Sequence, residues 1–194
     1  MNLPNKLSLF RIIITIFIIL ILLFPFHALG ISSIKLFVNE AIVVDLKYII
    51  AGVLFIIVSV TDFVDGYIAR KYNLVTDLGK VLDAIADKVL VNSVLIILSA
   101  QGLIHPLIPT IIIGRDTMVN TLKMIVGNKE GAVGAIKSGK IKTTFMMIGI
   151  SLTLFYNLPF ELLNFKVSDL CLLIATFLSI YSAVQYYNMS KKFL

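Results

Sequence analysis

Six stretches of the chain carry an apolar pattern long enough to predict membrane-spanning helices. Such a helix needs about 20 mostly apolar residues to cross a hydrocarbon layer of about 30 Å. The stretches run from about Leu9 to Leu29, Tyr48 to Arg70, Gly79 to Ala100, Leu107 to Val126, Thr143 to Leu158 and Asp169 to Tyr187. The expected fold class is therefore all-α: a polytopic membrane protein with six transmembrane helices, forming one domain over residues 1–194. Ahead of the first stretch, Leu3, Leu7 and Leu9 interleave with Asn5, Lys6 and Ser8. That pattern fits a short N-terminal interfacial helix or, equally, a frayed end. Lys6 and Arg11 before an apolar run also suit a secretory signal, but five further apolar stretches favour a retained helix. The connections Gly30 to Lys47, Gln101 to Pro106 and Pro159 to Ser168 read as simple linkers.

Composition supports the membrane reading. Of 194 residues, 59% are hydrophobic and 14% charged, where soluble domains carry about a quarter charged residues. The single cysteine, Cys171, excludes a disulfide scaffold and reads as a small apolar residue. A net charge of +6 does not point to nucleic acid, because in a membrane protein Lys and Arg collect in cytoplasmic loops near anionic lipid. Only Lys35, Lys47 and Lys166 fall on one side of the segments, Lys88 and Arg115 lie within them, and every other Lys and Arg falls on the opposite side. Both termini are therefore expected in the cytoplasm of a multi-pass cell-membrane protein, with its polar chemistry on that face.

Ionisable groups inside spans are costly and mark function. The second segment carries Asp62, Asp65, Gly66, Ala69 and Arg70, and the third carries Gly79, Asp83 and Asp87. Spacings of three and four put each set on one helix face, and the short connection from Lys71 to Leu78 predicts that the two faces meet. Four carboxylates in a low dielectric need compensation, which two divalent cations supply. All-oxygen ligands favour Mg²⁺ or Mn²⁺. His27 and His105, at the outer ends of their segments, read as interfacial residues. The small residues Gly66, Ala69 and Gly79 leave room for a ligand against the backbone, and Arg70 suits a phosphate. Together these features fit a pyrophosphate held for in-line displacement.

Written out, the stretch is Asp62-Phe-Val-Asp65-Gly66-Tyr-Ile-Ala69-Arg70, eight residues, then Gly79-Lys-Val-Leu-Asp83-Ala-Ile-Ala-Asp87. It resembles the CDP-alcohol phosphotransferase signature, D-x2-D-G-x2-A-R-x8-G-x3-D-x3-D, at every fixed position. Asn2-Leu-Pro4-Asn5-Lys-Leu-Ser8-Leu-Phe-Arg11, Thr61, Arg115-Asp116 and Gly139-Lys140-Ile-Lys142-Thr143 resemble the phosphatidylglycerophosphate synthase branch. The resemblance implies a homodimer with its active site open to the cytoplasm. It implies Asp62, Asp65, Asp83 and Asp87 as ligands of two metals and Asp87 as general base. It also implies Asn5, Asp62, Gly66, Ala69, Arg70, Thr76 and Gly79 as the CDP-diacylglycerol site. The expected reaction transfers a phosphatidyl group to glycerol 3-phosphate and releases CMP.

An acceptor phosphate needs compensating charge, which Arg115, Lys137, Lys140 and Lys142 would supply; each lysine equally suits a loop meeting anionic lipid. Arg115 is expected to engage a ligand phosphate or a site carboxylate rather than Asp116, because adjacent helical residues diverge by about 100°. Serine, inositol phosphate and phosphatidylglycerol remain alternative acceptors. A prenyltransferase would lack the Gly-x2-Ala-Arg element, and an ion transporter would show internal repeats. Gly134 to Lys140 begins like a phosphate-binding loop, but Ile141 stands where Ser or Thr is required.

Overall fold

The computed structural model describes residues 3–26, 34–38, 42–72, 76–130 and 136–191. They form six α-helices: α1 (Leu3–Leu23), α2 (Leu46–Lys71), α3 (Asp77–Ala100), α4 (Leu107–Glu130), α5 (Lys137–Leu154) and α6 (Val167–Ser190). A hairpin of β1 (Lys35–Val38) and β2 (Ile42–Asp45) precedes α2, and a 3-10 helix, Phe160–Leu163, precedes α6. Each expected segment coincides with one helix. Among the described residues, three helices are long and apolar enough to cross a membrane, over Asn5–Leu23, Leu46–Val64 and Val167–Ser190. Asp83, Asp87 and Lys88 interrupt the apolar run of α3, Arg115 and Asp116 interrupt that of α4, and α5 opens on Lys137, Lys140 and Lys142.

Two compact units divide the chain, one of Met1–Ile97 with Leu154–Leu158 and the other of Leu98–Thr153 with Pro159–Leu194. In the first, α1 packs on α2. The buried stripe of α1 is Asn5, Ser8, Arg11, Thr15, Ile18 and Leu22, spaced by three and four, while Phe10, Ile13, Phe17 and Leu20 are exposed. The stripe's first half is thus polar and the helix's outer face apolar, the reverse of a soluble helix. The stripe is unbroken and α1 is continuous from Leu3, so residues 3–9 belong to the helix of the first span rather than to a separate interfacial helix, and Met1 and Asn2 lie outside the described residues. The helix ends at Leu23 rather than Leu29 because Pro25 disfavours helical backbone before it and offers no N–H.

The connection from Gly30 to Lys47, expected as a plain linker, contains the antiparallel hairpin, in register from Lys35 opposite Asp45 to Val38 opposite Ile42. Its strands are Lys-Leu-Phe-Val and Ile-Val-Val-Asp, runs of β-branched and aromatic residues that favour pairing. Leu46 N–H then donates to the Ile34 carbonyl at 2.9 Å, which leads the hairpin into α2.

In the second unit α4 packs on α6, whose buried face is mostly small or polar: Ser168, Cys171, Ala175, Thr176, Ser179, Ser182 and Ser190. Small residues let helix backbones approach closely where lipid removes the usual hydrophobic drive. A glycine closes α3: Gly102, at φ 76°, donates to the Ser99 carbonyl while Leu103 donates to Leu98. That left-handed cap favours glycine because it has no Cβ to clash. Helix α5 ends at Leu154 instead of Leu158, since Tyr156 and Asn157 both take positive φ. Hydroxyls on the helices satisfy themselves by donating to the carbonyl four residues back, as Thr61 does to Ile57, Thr153 to Gly149 and Thr176 to Leu172.

Candidate active site

The first unit brings two acids of the signature to α1. Asp62 lies on α2 and Asp83 on α3, and both accept from the same Arg11 nitrogen, Nη1, at 2.5 Å and 2.6 Å. The Arg11 side chain is 1% exposed, whereas those of Asp62 and Asp83 are 35% and 53% exposed. The carboxylates are therefore open on one side and closed by a buried guanidinium on the other. A charge this deep requires a paired partner, and Arg11, on the polar half of the α1 stripe, finds it in the acids of α2 and α3. Sequence reasoning missed this role: Arg11 before an apolar run reads as a cytoplasmic anchor.

Asp87 stands one helical turn beyond Asp83 and is half-buried. Asp65, Ala69 and Arg70 lie on α2 with their side chains outside the described residues, and His27 lies outside them altogether. Among the described residues no group of three or more His, Cys, Asp or Glu is placed to hold a metal ion. Asp62 and Asp83 nevertheless fit one in chemistry, since they offer only carboxylate oxygens and already converge on a cationic group.

Three further residues expected at a nucleotide site from the signature resemblance, Asn5, Thr76 and Gly79, meet at the start of α3. Thr76 caps the helix, its Oγ1 accepting the Gly79 N–H at 3.0 Å and donating to Asn5 Oδ1 at 3.1 Å. A Cβ on Gly79 would stand 2.5 Å from Asn5 Oδ1 and 3.0 Å from Thr76 Oγ1. Gly79 therefore has a structural reason to be glycine, the close approach of α1. Gly66 is half-buried on α2.

The second unit holds the basic residues. Arg115 donates from Nε to the Ser179 carbonyl at 3.0 Å, from Nη1 to Asp116 Oδ1 at 2.7 Å and from Nη2 to Ser182 Oγ at 2.6 Å. Lys142, buried on α5, donates to both oxygens of Asp116 at 2.8 Å and 2.9 Å. The expectation that Arg115 would avoid Asp116 is corrected. The arginine arm is long enough to fold back along α4, and Lys142 fixes the carboxylate where the guanidinium reaches it.

The Arg115 guanidinium and Lys123 Nζ also lie over the Tyr186 ring, at 5.8 Å and 4.7 Å, and the Tyr186 hydroxyl accepts the Ile136 N–H. Lys137 and Lys140, on the same helix as Lys142, are exposed. Asp116, Ser179, Ser182 and Tyr186 were not singled out from sequence for this cluster. The available signal was the spacing of small polar residues along α6, which marks a buried face on an otherwise apolar helix.

The sequence profile described as CDP-alcohol phosphatidyltransferase matches residues 1–183. A Bacillus subtilis protein named CDP-diacylglycerol–glycerol-3-phosphate 3-phosphatidyltransferase is 40% identical over 96% of this chain and 94% of its own length. Proteins of the same name from Mycoplasma pneumoniae and Rickettsia felis are 38% and 32% identical, over 79% and 99% of this chain and 68% and 97% of their own. With the profile spanning nearly the whole chain and the Bacillus and Rickettsia relatives aligned over more than nine-tenths of both lengths, the protein belongs to the CDP-alcohol phosphatidyltransferase family.

Proposed function

We propose that the protein transfers a phosphatidyl group from CDP-diacylglycerol to glycerol 3-phosphate, giving phosphatidylglycerol phosphate and CMP, as a step in phospholipid synthesis. The observation that carries this reading is the convergence of Asp62 and Asp83, from the two halves of the signature, on one point, in a chain whose relatives bear the name of that reaction. Asp62, Asp65, Asp83 and Asp87 would hold two divalent cations, Mg²⁺ or Mn²⁺. Bound there, the cations would supply charge stabilisation for the diphosphate.

The chain's own residues divide the remaining work. Asn5, Gly66, Ala69, Arg70, Thr76 and Gly79, with Asp62, would seat the nucleotide end of the donor. Arg115, Lys137, Lys140 and Lys142 would hold the acceptor phosphate. Asp87 would take the proton of the acceptor's primary hydroxyl as its oxygen bonds to the phosphorus carrying diacylglycerol, and the bond from that phosphorus to CMP breaks. The acyl chains stay in lipid, against the exposed apolar faces of the helices.

We read the chain as one catalytic domain of six spans in the cell membrane, with both termini and the active site on the cytoplasmic side, working as a homodimer. The positive-inside distribution supports the orientation. The test is an assay of purified protein with radiolabelled glycerol 3-phosphate and CDP-diacylglycerol, with and without a chelator. Chelator-sensitive formation of a labelled lipid supports the reading. Transfer to serine, inositol phosphate or phosphatidylglycerol instead would assign another acceptor, and no CMP release with any of them would overturn it.

A further inference from the structure

Arg11 is the largest fully buried side chain among the described residues, and its charge is met by two carboxylates proposed above as cation ligands. From this we infer that Arg11 is an internal counter-cation: it holds Asp62 and Asp83 together before a divalent cation binds, and it competes with that cation for them. The inference rests on the metal reading of the aspartates.

Three observations carry it. One nitrogen lies within 2.6 Å of both carboxylates, so the lone pairs aimed at the guanidinium are withheld from a metal. Both acids are part-exposed while Arg11 is buried, which leaves an ion access to them. The arginine is also firmly based: the Arg11 carbonyl accepts from Thr15 at 2.7 Å, and Asn5, two turns earlier, accepts from Thr76 at the start of α3. Because a guanidinium does not lose its proton in a protein, its positive charge persists when the metal arrives. Two cations then share one set of acids, and each weakens the other's hold. Arg11 is thus a positioning residue that sets how tightly metal is held.

The experiment titrates Mn²⁺ into the purified full-length protein in detergent and follows free Mn²⁺ by electron paramagnetic resonance. The parent, Arg11→Gln, Arg11→Met and Asp62→Asn proteins are compared. Arg11→Gln is expected to bind Mn²⁺ about tenfold more tightly than the parent, and Mn²⁺ should raise its unfolding temperature more than the parent's. A merely structural arginine would leave the affinity unchanged or lower, and either result overturns the inference. A parent that binds no Mn²⁺, or binding that Asp62→Asn leaves intact, overturns instead the metal reading beneath it. Should Arg11→Gln not fold even in Mn²⁺, Arg11→Met decides. It removes the charge and keeps an unbranched stem in the buried position, so affinity above the parent's supports competition and equal or lower affinity overturns it.

Discussion

The two units are charge-inverted versions of one arrangement. In the first, two carboxylates, Asp62 and Asp83, close on a single buried cation, Arg11. In the second, two cations, Arg115 and Lys142, close on a single carboxylate, Asp116. Counting only these three groups in each, one charge is left in excess, negative in the first and positive in the second. A fully balanced pair would have no use for a further ion, and an uncompensated pair would destabilise the fold. The excess sign matches the ligand proposed for each unit: divalent cations for the acids, an acceptor phosphate for the bases.

The largest effect should come from Asp87, one turn beyond Asp83 on α3. Asp87→Asn is expected to lower turnover by about 10³-fold while equilibrium binding of CDP-diacylglycerol survives. Turnover like the parent's would refute the assigned base. The matching change in the second unit should act on the fold instead. Asp116→Asn leaves Arg115 and Lys142 without their shared carboxylate, at a cost of about 3 kcal/mol, read by denaturant unfolding in micelles. An unchanged midpoint would break the comparison, because the basic cluster would then not need its counter-ion. Gly79→Ala tests the base on which the acidic cluster stands. The new methyl would meet Asn5 Oδ1, forcing that side chain from Thr76, and a loss of about 2 kcal/mol is expected. Asn5→Ala, which clears the space, should recover part of it in the double variant.

The helices were legible because apolar runs and the three-and-four spacing of the aspartates depend on nothing beyond the local chain. Asp62 and Asp83 meet as their spacing predicts. What brings them together was not legible. Arg11 sits six residues after Asn5 and immediately before the longest apolar run, a context identical to that of an interfacial anchor, and only the packing of α1 turns it inward. Asp116 was misjudged for a related reason. Helical angles between adjacent Cβ atoms say little about where a long, flexible guanidinium ends, and the lysine that fixes Asp116 lies 26 residues away. The hairpin escapes a reading by periodicity because its strands are only four residues each, carry short apolar runs without alternation, and lie between spans.

The smallest effect should fall on the lysines at the start of α5, and it separates charge that holds the fold from charge that serves a ligand. Lys142 is buried and bonded to Asp116, whereas Lys137 and Lys140, on the same helix, are exposed. Replacing Lys137 and Lys140 together by alanine should change stability by less than about 0.5 kcal/mol, as for exposed sites elsewhere. If these side chains help to hold the acceptor phosphate, the KM for glycerol 3-phosphate should still rise about threefold at low ionic strength. The rise should shrink toward nothing as salt screens exposed charge. A KM unmoved at every salt concentration would restrict the acceptor contacts to the buried cluster, Arg115 and Lys142. A KM shift that ignores salt would mean that the lysines act through the packing of α5 rather than through their charge.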